Sequence, residues 1–549
     1  MPAISIDNLS FTYENRTTSA LDHVNLNVDE REFVLVAGAS GSGKTTLLKC
    51  INGLIPHRYV GEYSGHVAVR DRAVAGSTLQ DLSLLVGTVL QEPDKQLVSS
   101  SVEDDVAFGP CNLALDRSEI EKRVERSLAS MGILNLRERS IFALSGGQKQ
   151  RLAIAGVLAM NPEIVLFDEP LANLDSNGVG LMREVFAELR REAKTIIVAE
   201  HRTEEVLRAH PSRIVVFDEG RVVADSPNPE VLIDFADVLK APVEYVLRKH
   251  LPRADRDLPI SSLFSSFSPK PEPTQEFAQE RPLIRVDDLT FRYPGGVTAL
   301  EDVKLSIYEG ERVAILGNNG AGKSTLALNM VGLLKPTAGR VLVSGKDTRE
   351  TPISDIARSV AIVFQNPFSM LFAKTVREEL AFGPKNIGLP PEELSKLIAE
   401  VAAECSIDHL LDRSPFASSY GEKKRICVGS VLTMQPRCII LDEPTTGQDY
   451  QRYSEFMTFI RSLNERGRSF ILITHDTDLA LEYTDRAIVV KDGRVVVDGP
   501  TRKVLANAQI LAENSIRETS LIILSRKLTN GRSVVPLAEL VQALPKSSC

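Results

Sequence analysis

The sequence lacks a basic excess. Lysine and arginine number 64 against 73 acidic residues, a formal net charge of −9. No surplus of positive charge supplies the field that nonspecific binding to nucleic acid needs, so no nucleic-acid partner is expected. The sequence also lacks any apolar run of about 18 residues, so no membrane-spanning helix is expected. Its opening, Met1-Pro2-Ala3-Ile4-Ser5-Ile6-Asp7, shows no signal peptide. Cysteine is scarce, and Cys50, Cys111, Cys405, Cys427, Cys438 and Cys549 show no metal-ligand spacing. They read as reduced thiols of a cytoplasmic protein, most of them buried. What remains is an ordinary globular composition, 43% hydrophobic and 25% charged over 549 residues.

One stretch organises the rest. Gly38-Ala39-Ser40-Gly41-Ser42-Gly43-Lys44-Thr45 follows an apolar strand, Phe33 to Ala37, and precedes a helix start at Thr46-Leu47-Leu48. Strand, glycine loop, Lys-Thr and helix is the setting of a P-loop. The glycines let the backbone wrap a triphosphate with N–H groups pointing inward, and the helix N-terminus adds partial positive charge. Lys44 then reaches the outer phosphates and the Thr45 hydroxyl ligates magnesium. The loop recurs as Gly317-Asn318-Asn319-Gly320-Ala321-Gly322-Lys323-Ser324, after Val313 to Leu316. Thr46 and Thr325, next in each helix, join the ATP-binding set.

The recurrence is systematic. Lys44 and Lys323 lie 279 positions apart, whereas Gln91 and Gln365, Ser145 and Ser419, Asp168 and Asp442, and His201 and His475 all lie 274 apart. One domain has been duplicated in tandem, with five extra residues in the first copy between P-loop and glutamine. The boundaries read as domain 1 at 1–250, a Pro/Ser-rich linker at 251–282, domain 2 at 283–514 and a tail at 515–549. The linker's prolines and serines suggest an extended segment able to span on the order of 100 Å. The tail carries no motif and reads as a small appendage.

Each half then presents the same series. Tyr13 and Tyr293 end an opening strand about thirty residues before the P-loop lysine, where a flat ring could stack on adenine. Gln91 and Gln365 follow apolar strands and precede a proline-led loop, placed to ligate magnesium and orient a water. Ser145-Gly146-Gly147-Gln148 opens a helix with a good N-cap and close anion approach, a second phosphate-facing helix start. Four apolar residues lead into Asp168-Glu169 and into Asp442-Glu443, as in a strand buried on both faces of a parallel sheet. Side chains alternate along a strand, so Asp168 and Asp442 suit the magnesium shell while Glu169 and Glu443 suit polarising a water. His201 and His475 end further apolar strands, placed to contact a γ-phosphate.

These residues together resemble the ABC ATPase family over nearly the whole chain. The resemblance implies an α/β fold of two tandem P-loop NTPase domains. Each would have a mainly parallel core sheet, an antiparallel β subdomain and a helical signature subdomain. It implies ATP and Mg2+ as cofactors and Glu169, Glu443, His201 and His475 as the catalytic set. It makes Thr45, Gln91, Asp168, Ser324, Gln365 and Asp442 the metal set. D-loops would be Asn173-Leu174-Asp175 and Gly447-Gln448-Asp449. In this family ATP lies between the P-loop of one domain and the signature of the other, so the two domains are expected to pair head-to-tail.

A narrower resemblance follows each Q-loop. Pro93-Asp94-Lys95-Gln96-Leu97 and then Ala107-Phe108-Gly109-Pro110-Cys111-Asn112 look like the energy-coupling-factor and cobalt-uptake ATPases, as does Ala381-Phe382-Gly383-Pro384-Lys385-Asn386. That subgroup implies a groove gripping a transmembrane scaffold, a substrate-binding membrane subunit, and a peripheral place at the cytoplasmic face of the membrane. It further implies uptake of vitamins, cobalt or nickel. The second half departs from the pattern at Pro367-Phe368-Ser369-Met370-Leu371. Its signature also departs, reading Ser418-Ser419-Tyr420-Gly421-Glu422, with Ser419, Gly421 and Glu422 as its ATP-facing residues. A side chain at Tyr420 is expected to restrict the backbone and crowd the phosphate. The Lys323 site, served by Ser145 to Gln148, is therefore expected to hydrolyse faster than the Lys44 site. Rival readings are a sugar-type importer ATPase, a soluble two-cassette protein of translation, and a regulatory cassette protein that binds ATP without hydrolysing it.

Overall fold

A computed structural model describes residues 2–14, 16–171, 174–264, 267–270, 281–445 and 450–545. The chain forms two compact units, Met1–Arg256 with Asp449–Gln451, and Asp257–Gln448 with Arg452–Cys549. In the first, a six-stranded sheet runs in the order Arg221–Ser226, Arg213–Asp218, Phe33–Gly38, Thr195–Glu200, Ile164–Asp168, Val86–Val89. All neighbours are parallel except the outermost Arg221–Ser226, which returns antiparallel. The strands Phe33–Gly38, Ile164–Asp168 and Thr195–Glu200 are buried at every position, because both faces of this sheet are covered.

Alternation along the central strand divides its side chains between two cores. Val34 and Val36 pack with Ile4, Leu26 and Leu47. Phe33, Leu35 and Ala37 pack with Val106, Leu128 and Phe186. The first core lies under an antiparallel sheet of Leu21–Asp29, Pro2–Tyr13, Gly61–Val69 and Arg72–Ala73. The second lies under helices that include Val102–Asn112, Arg117–Ser130 and Gly146–Ala159.

The second unit repeats the plan. Its six-stranded sheet runs Val360–Val363, Cys438–Asp442, Ser469–Thr474, Arg312–Leu316, Arg486–Lys491, Arg494–Pro500. Its antiparallel sheet is Thr298–Ile307, Ile284–Arg292, Ala338–Val343, Lys346–Asp347. Its helices include Val376–Asn386, Pro391–Glu404 and Tyr420–Leu432. The fold class expected from the sequence is the one found.

The ends of the repeats differ from expectation. The stretch read as an extended linker begins with structure. Helix Val243–Lys249 is followed by a turn at Arg253–Asp255 and by helix Ile260–Leu263 behind Pro259. The tail has the same series: helix Ser520–Leu528, a turn, and helix Leu537–Ala543 behind Pro536. Leu247 and Leu524, Leu251 and Leu528, and Pro259 and Pro536 each lie 277 positions apart. The same hydrogen bond ties each segment back, Thr203 Oγ1 to Lys240 O at 3.2 Å and Thr477 Oγ1 to Arg517 O at 3.2 Å. The duplication therefore continues past 251 and takes in the tail. A three-residue change of spacing after the histidines hides it from the sequence.

The tail helices are integral to their unit. Ile522, Val534, Val535 and Leu540 are fully buried. Burying each such side chain contributes about 1.5–3 kcal/mol. Truncation after Asn514 is expected to lower the thermal unfolding midpoint of the second unit and to leave aggregates on size exclusion. An unchanged midpoint would show the segment to be a dispensable appendage.

Candidate functional site

The P-loop helices Lys44–Ile51 and Lys323–Met330 begin at glycines that no other residue could replace. Gly43 has φ 105° and Gly322 φ 104°. A Cβ on either would meet a carbonyl, Ala20 O at 2.5 Å or Ala299 O at 2.7 Å. The strand before each loop therefore delivers the backbone into a tight wrap at a helix N-terminus. Both lysines are buried. Lys44 Nζ donates to Gly38 O at 2.8 Å and Ala39 O at 2.7 Å. Lys323 Nζ donates to Gly317 O at 2.7 Å and Asn318 O at 2.9 Å. Each ammonium thus sits at the mouth of its own loop.

The acidic strand lies two strands from the P-loop strand, and its end meets the P-loop helix. Thr45 Oγ1 donates to Asp168 Oδ1 at 2.9 Å, and Ser324 makes the matching bond to Asp442. Burial pushes both aspartates up to about 6, against the pull of these hydroxyls. Glu169 and Glu443 follow with left-handed backbones, φ 46° and 45°. Such strain costs on the order of 1 kcal/mol and persists only where the surroundings enforce it. Here it is enforced by Glu169 N to Ala199 O and Glu443 N to Ile473 O, both 2.9 Å.

Around the two glutamates the units diverge. Gln91 Nε2 donates to Glu169 Oε2 at 2.7 Å, whereas Gln365 is exposed. His475 Nδ1 lies 2.9 Å from Glu443 Oε1 in hydrogen-bonding geometry. His201 is buried, with Nδ1 3.5 Å from Glu169 Oε1 and 3.2 Å from Glu200 Oε1. Neither of those contacts has hydrogen-bond geometry. Burial works to raise the Glu169 carboxyl, but His201, Lys44 and Arg202 outweigh it and hold it below the usual glutamate value.

The tyrosines sit beside the P-loop helices. Tyr13 OH is 3.2 Å from Thr46 Oγ1 and Tyr293 OH 3.1 Å from Thr325 Oγ1. Tyr13 also has the Tyr59 ring edge-on at 6.2 Å. Tyr59 falls in the stretch between P-loop and glutamine that is five residues longer in the first unit.

The signature residues open helices Gly146–Ala159 and Tyr420–Leu432. Ser145 and Ser419 each form a full capping box, with Gln148 and with Glu422. The restriction expected from Tyr420 is not found in the backbone. Tyr420 is the first residue of a regular helix, and a Cβ at the matching Gly146 would meet nothing within 4 Å. The ring instead lies against Lys424, whose Nζ is 5.3 Å from its centroid.

Two residues escaped the reading of the sequence. Lys424 is 2% exposed and donates to Pro444 O, the carbonyl after Glu443, where Gln150 donates to Pro170 O in the first unit. Burial lowers this ammonium to about 8. Glu200 is fully buried directly before His201, where the second unit has Thr474. In the sequence Glu200 ends an apolar run and Lys424 is one cation among the charged residues Glu422 to Arg425, and only the mismatch between the halves marks each.

Cys50, Cys405 and Cys427 are buried, and burial raises each thiol to about 12, so they are inert packing residues. Cys111 is exposed. Asn173 and Gly447-Gln448-Asp449 of the expected D-loops, and Cys549, lie outside the described residues.

A family model described as ABC transporter matches residues 21–172 and 300–446. A protein of Methanosarcina acetivorans is 37% identical, covering 93% of this chain and 88% of its own length. One from Caldanaerobacter subterraneus subsp. tengcongensis is 37% identical over 98% of both chains. Both carry the name ABC transporter ATP-binding protein by inference. Among solved structures, CbiO1 from Clostridium perfringens, described as part of the ABC transporter complex CbiONQ, is 36% identical. It covers 45% of this chain and 99% of its own, with a TM-score of 0.40.

Proposed function

The chain belongs to the ABC transporter family as a protein with two ATP-binding domains, which are ATPases, and from that we propose that it powers a membrane importer of the energy-coupling-factor type. The solutes are vitamins or cobalt or nickel ions. The two domains pair head-to-tail, so that Ser145 to Gln148 serves the ATP at Lys323 and Ser419, Gly421 and Glu422 serve the ATP at Lys44. Tyr13 and Tyr293 stack on adenine, and the P-loop N–H groups and lysines hold the phosphates. Glu169 and Glu443 polarise the attacking water, with His201 and His475 at the γ-phosphate.

The donor set at each site fits Mg2+. Thr45 with Asp168, and Ser324 with Asp442, offer hard oxygens. Among the described residues no group of three or more His, Cys, Asp or Glu is arranged to hold a metal. Most ligands would then be phosphate and water oxygens, as that ion prefers. Bound there, the ion neutralises charge on the β- and γ-phosphates. A carboxylate must be ionised to ligate it. Asp168 and Asp442 protonate as the pH falls through about 6. Protons and Mg2+ compete for these carboxylates, so the apparent affinity for Mg2+ is expected to weaken as the pH falls through about 6 and to level off above it. A flat profile down to pH 5 would contradict this assignment.

The observation that carries the importer reading is a surface built twice. In the first unit Asp105 Oδ1 accepts Val98 N at 2.8 Å and Ser99 N at 2.9 Å. In the second Glu379 Oε2 accepts Phe372 N and Ala373 N, both at 2.9 Å. Each helix carboxylate thus pins the loop after the glutamine. The pinned loops and helices expose Val98 and Phe108, and Phe372 and Phe382, the phenylalanines 51–59% exposed. Exposed aromatics on a rigidly held loop mark a docking surface. The two differ in detail. Asp94 pairs with Lys149 at 2.6 Å, whereas Lys423 lies over Phe368 at 5.1 Å. Among the described residues no helix is long and apolar enough to cross a membrane, so the chain would sit peripherally on the cytoplasmic face, held by its partner.

Phe372→Glu with Phe382→Glu is expected to retain ATP binding and to lose co-purification of a multi-span membrane protein from detergent-solubilised membranes. Undiminished recovery of that partner would remove the surface from the account.

A further inference from the structure

The left-handed turns at Glu169 and Glu443, φ 46° and 45°, are held from two directions. On the sheet side, Glu169 N donates to Ala199 O and Glu443 N to Ile473 O, both at 2.9 Å. From the other side, a side chain of the signature helix reaches the carbonyl of the following proline. Gln150 Nε2 donates to Pro170 O, and Lys424 Nζ donates to Pro444 O. The two donors lie 274 positions apart, in the register of the glutamates themselves. Each is the fifth residue of its helix. Gln150 is 0% exposed and Lys424 2%, and Pro170 and Pro444 are buried as well. Packing alone would select neither donor, because burying an amide or an ammonium costs more than burying an apolar side chain of similar size. Gln150 Oε1 is buried with no hydrogen-bond partner among the described residues, which adds to that cost. The two side chains differ in charge, length and shape. What they share is an N–H that reaches this one carbonyl.

We propose that Gln150 and Lys424 are positioning residues of the two ATP sites, each donating to the carbonyl just beyond the general base and so fixing the direction of its carboxylate. This rests on the reading of Glu169 and Glu443 as the groups that polarise the attacking water. A non-glycine residue keeps a left-handed backbone only while its surroundings enforce it. Here the sheet holds the glutamate N–H, the proline ring limits its own φ, and the helix donor holds the proline carbonyl. The chain is thereby fixed on both sides of the glutamate. Without the helix donor the turn is free to relax and to swing the carboxylate off line. A displacement of about 1 Å is enough to slow a positioned reaction by up to about a hundredfold.

The test is steady-state hydrolysis by the full chain carrying Glu169→Gln, which leaves turnover to the second site. Adding Lys424→Met, which fills the space without an N–H, is expected to lower kcat about tenfold with less than a twofold change in KM. Adding Lys424→Gln instead, the donor that the first unit uses, is expected to keep kcat within about threefold of the parent. The first site is read by single-turnover hydrolysis in the chain carrying Glu443→Gln. There Gln150→Met is expected to slow the reaction about tenfold, and Gln150→Lys to stay within about threefold. A Lys424→Met chain as fast as its parent overturns the proposal, as does a loss that falls on KM and spares kcat. A Lys424→Gln chain as slow as Lys424→Met also overturns it, by making the ammonium charge and not the bond the active feature. The same results at Gln150 overturn it for the first site. If Lys424→Met does not fold, Lys424→Leu makes the same comparison. Undiminished hydrolysis by the chain carrying both Glu169→Gln and Glu443→Gln would instead remove the reading of the two glutamates as bases, and the proposal with it.

Discussion

Glu443→Gln is expected to remove most of the steady-state ATPase activity, about a hundredfold, whereas Glu169→Gln leaves more than half of it. Losing a general base costs about 10²–10⁴ at the affected site. Total turnover is then set by whichever site was faster. In the proposed pairing the Lys323 site meets the intact signature Ser145 to Gln148, and the Lys44 site meets Ser419-Tyr420-Gly421. The two helix starts share the same capping box, so a difference between them lies in the Tyr420 side chain, not in a distorted backbone. The glutamates differ independently. Glu443 is joined to His475 at 2.9 Å, the arrangement of an oriented base, while Glu169 is held by Gln91 at 2.7 Å. Equal losses in the two variants would sink the asymmetry.

Lys323→Ala is expected to reduce bound ATP from two molecules per chain to one and to lower ATPase activity by about a hundredfold. The ammonium is the fixed positive charge of its loop, buried and already hydrogen-bonded to Gly317 O and Asn318 O. Its removal both withdraws charge from the phosphates and leaves two carbonyls facing them. Lys44→Ala is expected to remove one ATP as well, with a smaller loss of turnover. Equilibrium dialysis with labelled ATP reads the stoichiometry. Two molecules still bound by Lys323→Ala would contradict the placement of that site.

The parts of this architecture legible in the sequence are those that repeat at fixed spacing and leave little conformational choice. Gly43 and Gly322 announce a loop because only glycine takes their φ. Val165 to Phe167 announce a central strand because both faces are covered. What stayed hidden was set by tertiary context. Glu200 and Lys424 are polar residues buried by packing that no local pattern reveals. The left-handed backbone of Glu169 comes from the sheet register at Ala199. The closing helices were obscured by composition, since prolines such as Pro259 read as linker while serving as helix starts. Tyr420 misled in the other direction: a glycine in the first signature suggested a backbone requirement that the helix start does not impose.

The central claim is that this ATPase drives a membrane importer. The direct measurement is to solubilise source membranes in mild detergent, capture the chain and identify what accompanies it. The account predicts a multi-span scaffold together with a small membrane-embedded binding protein, whose ligand would then name the solute. Recovery of ribosomes with no membrane protein would contradict it.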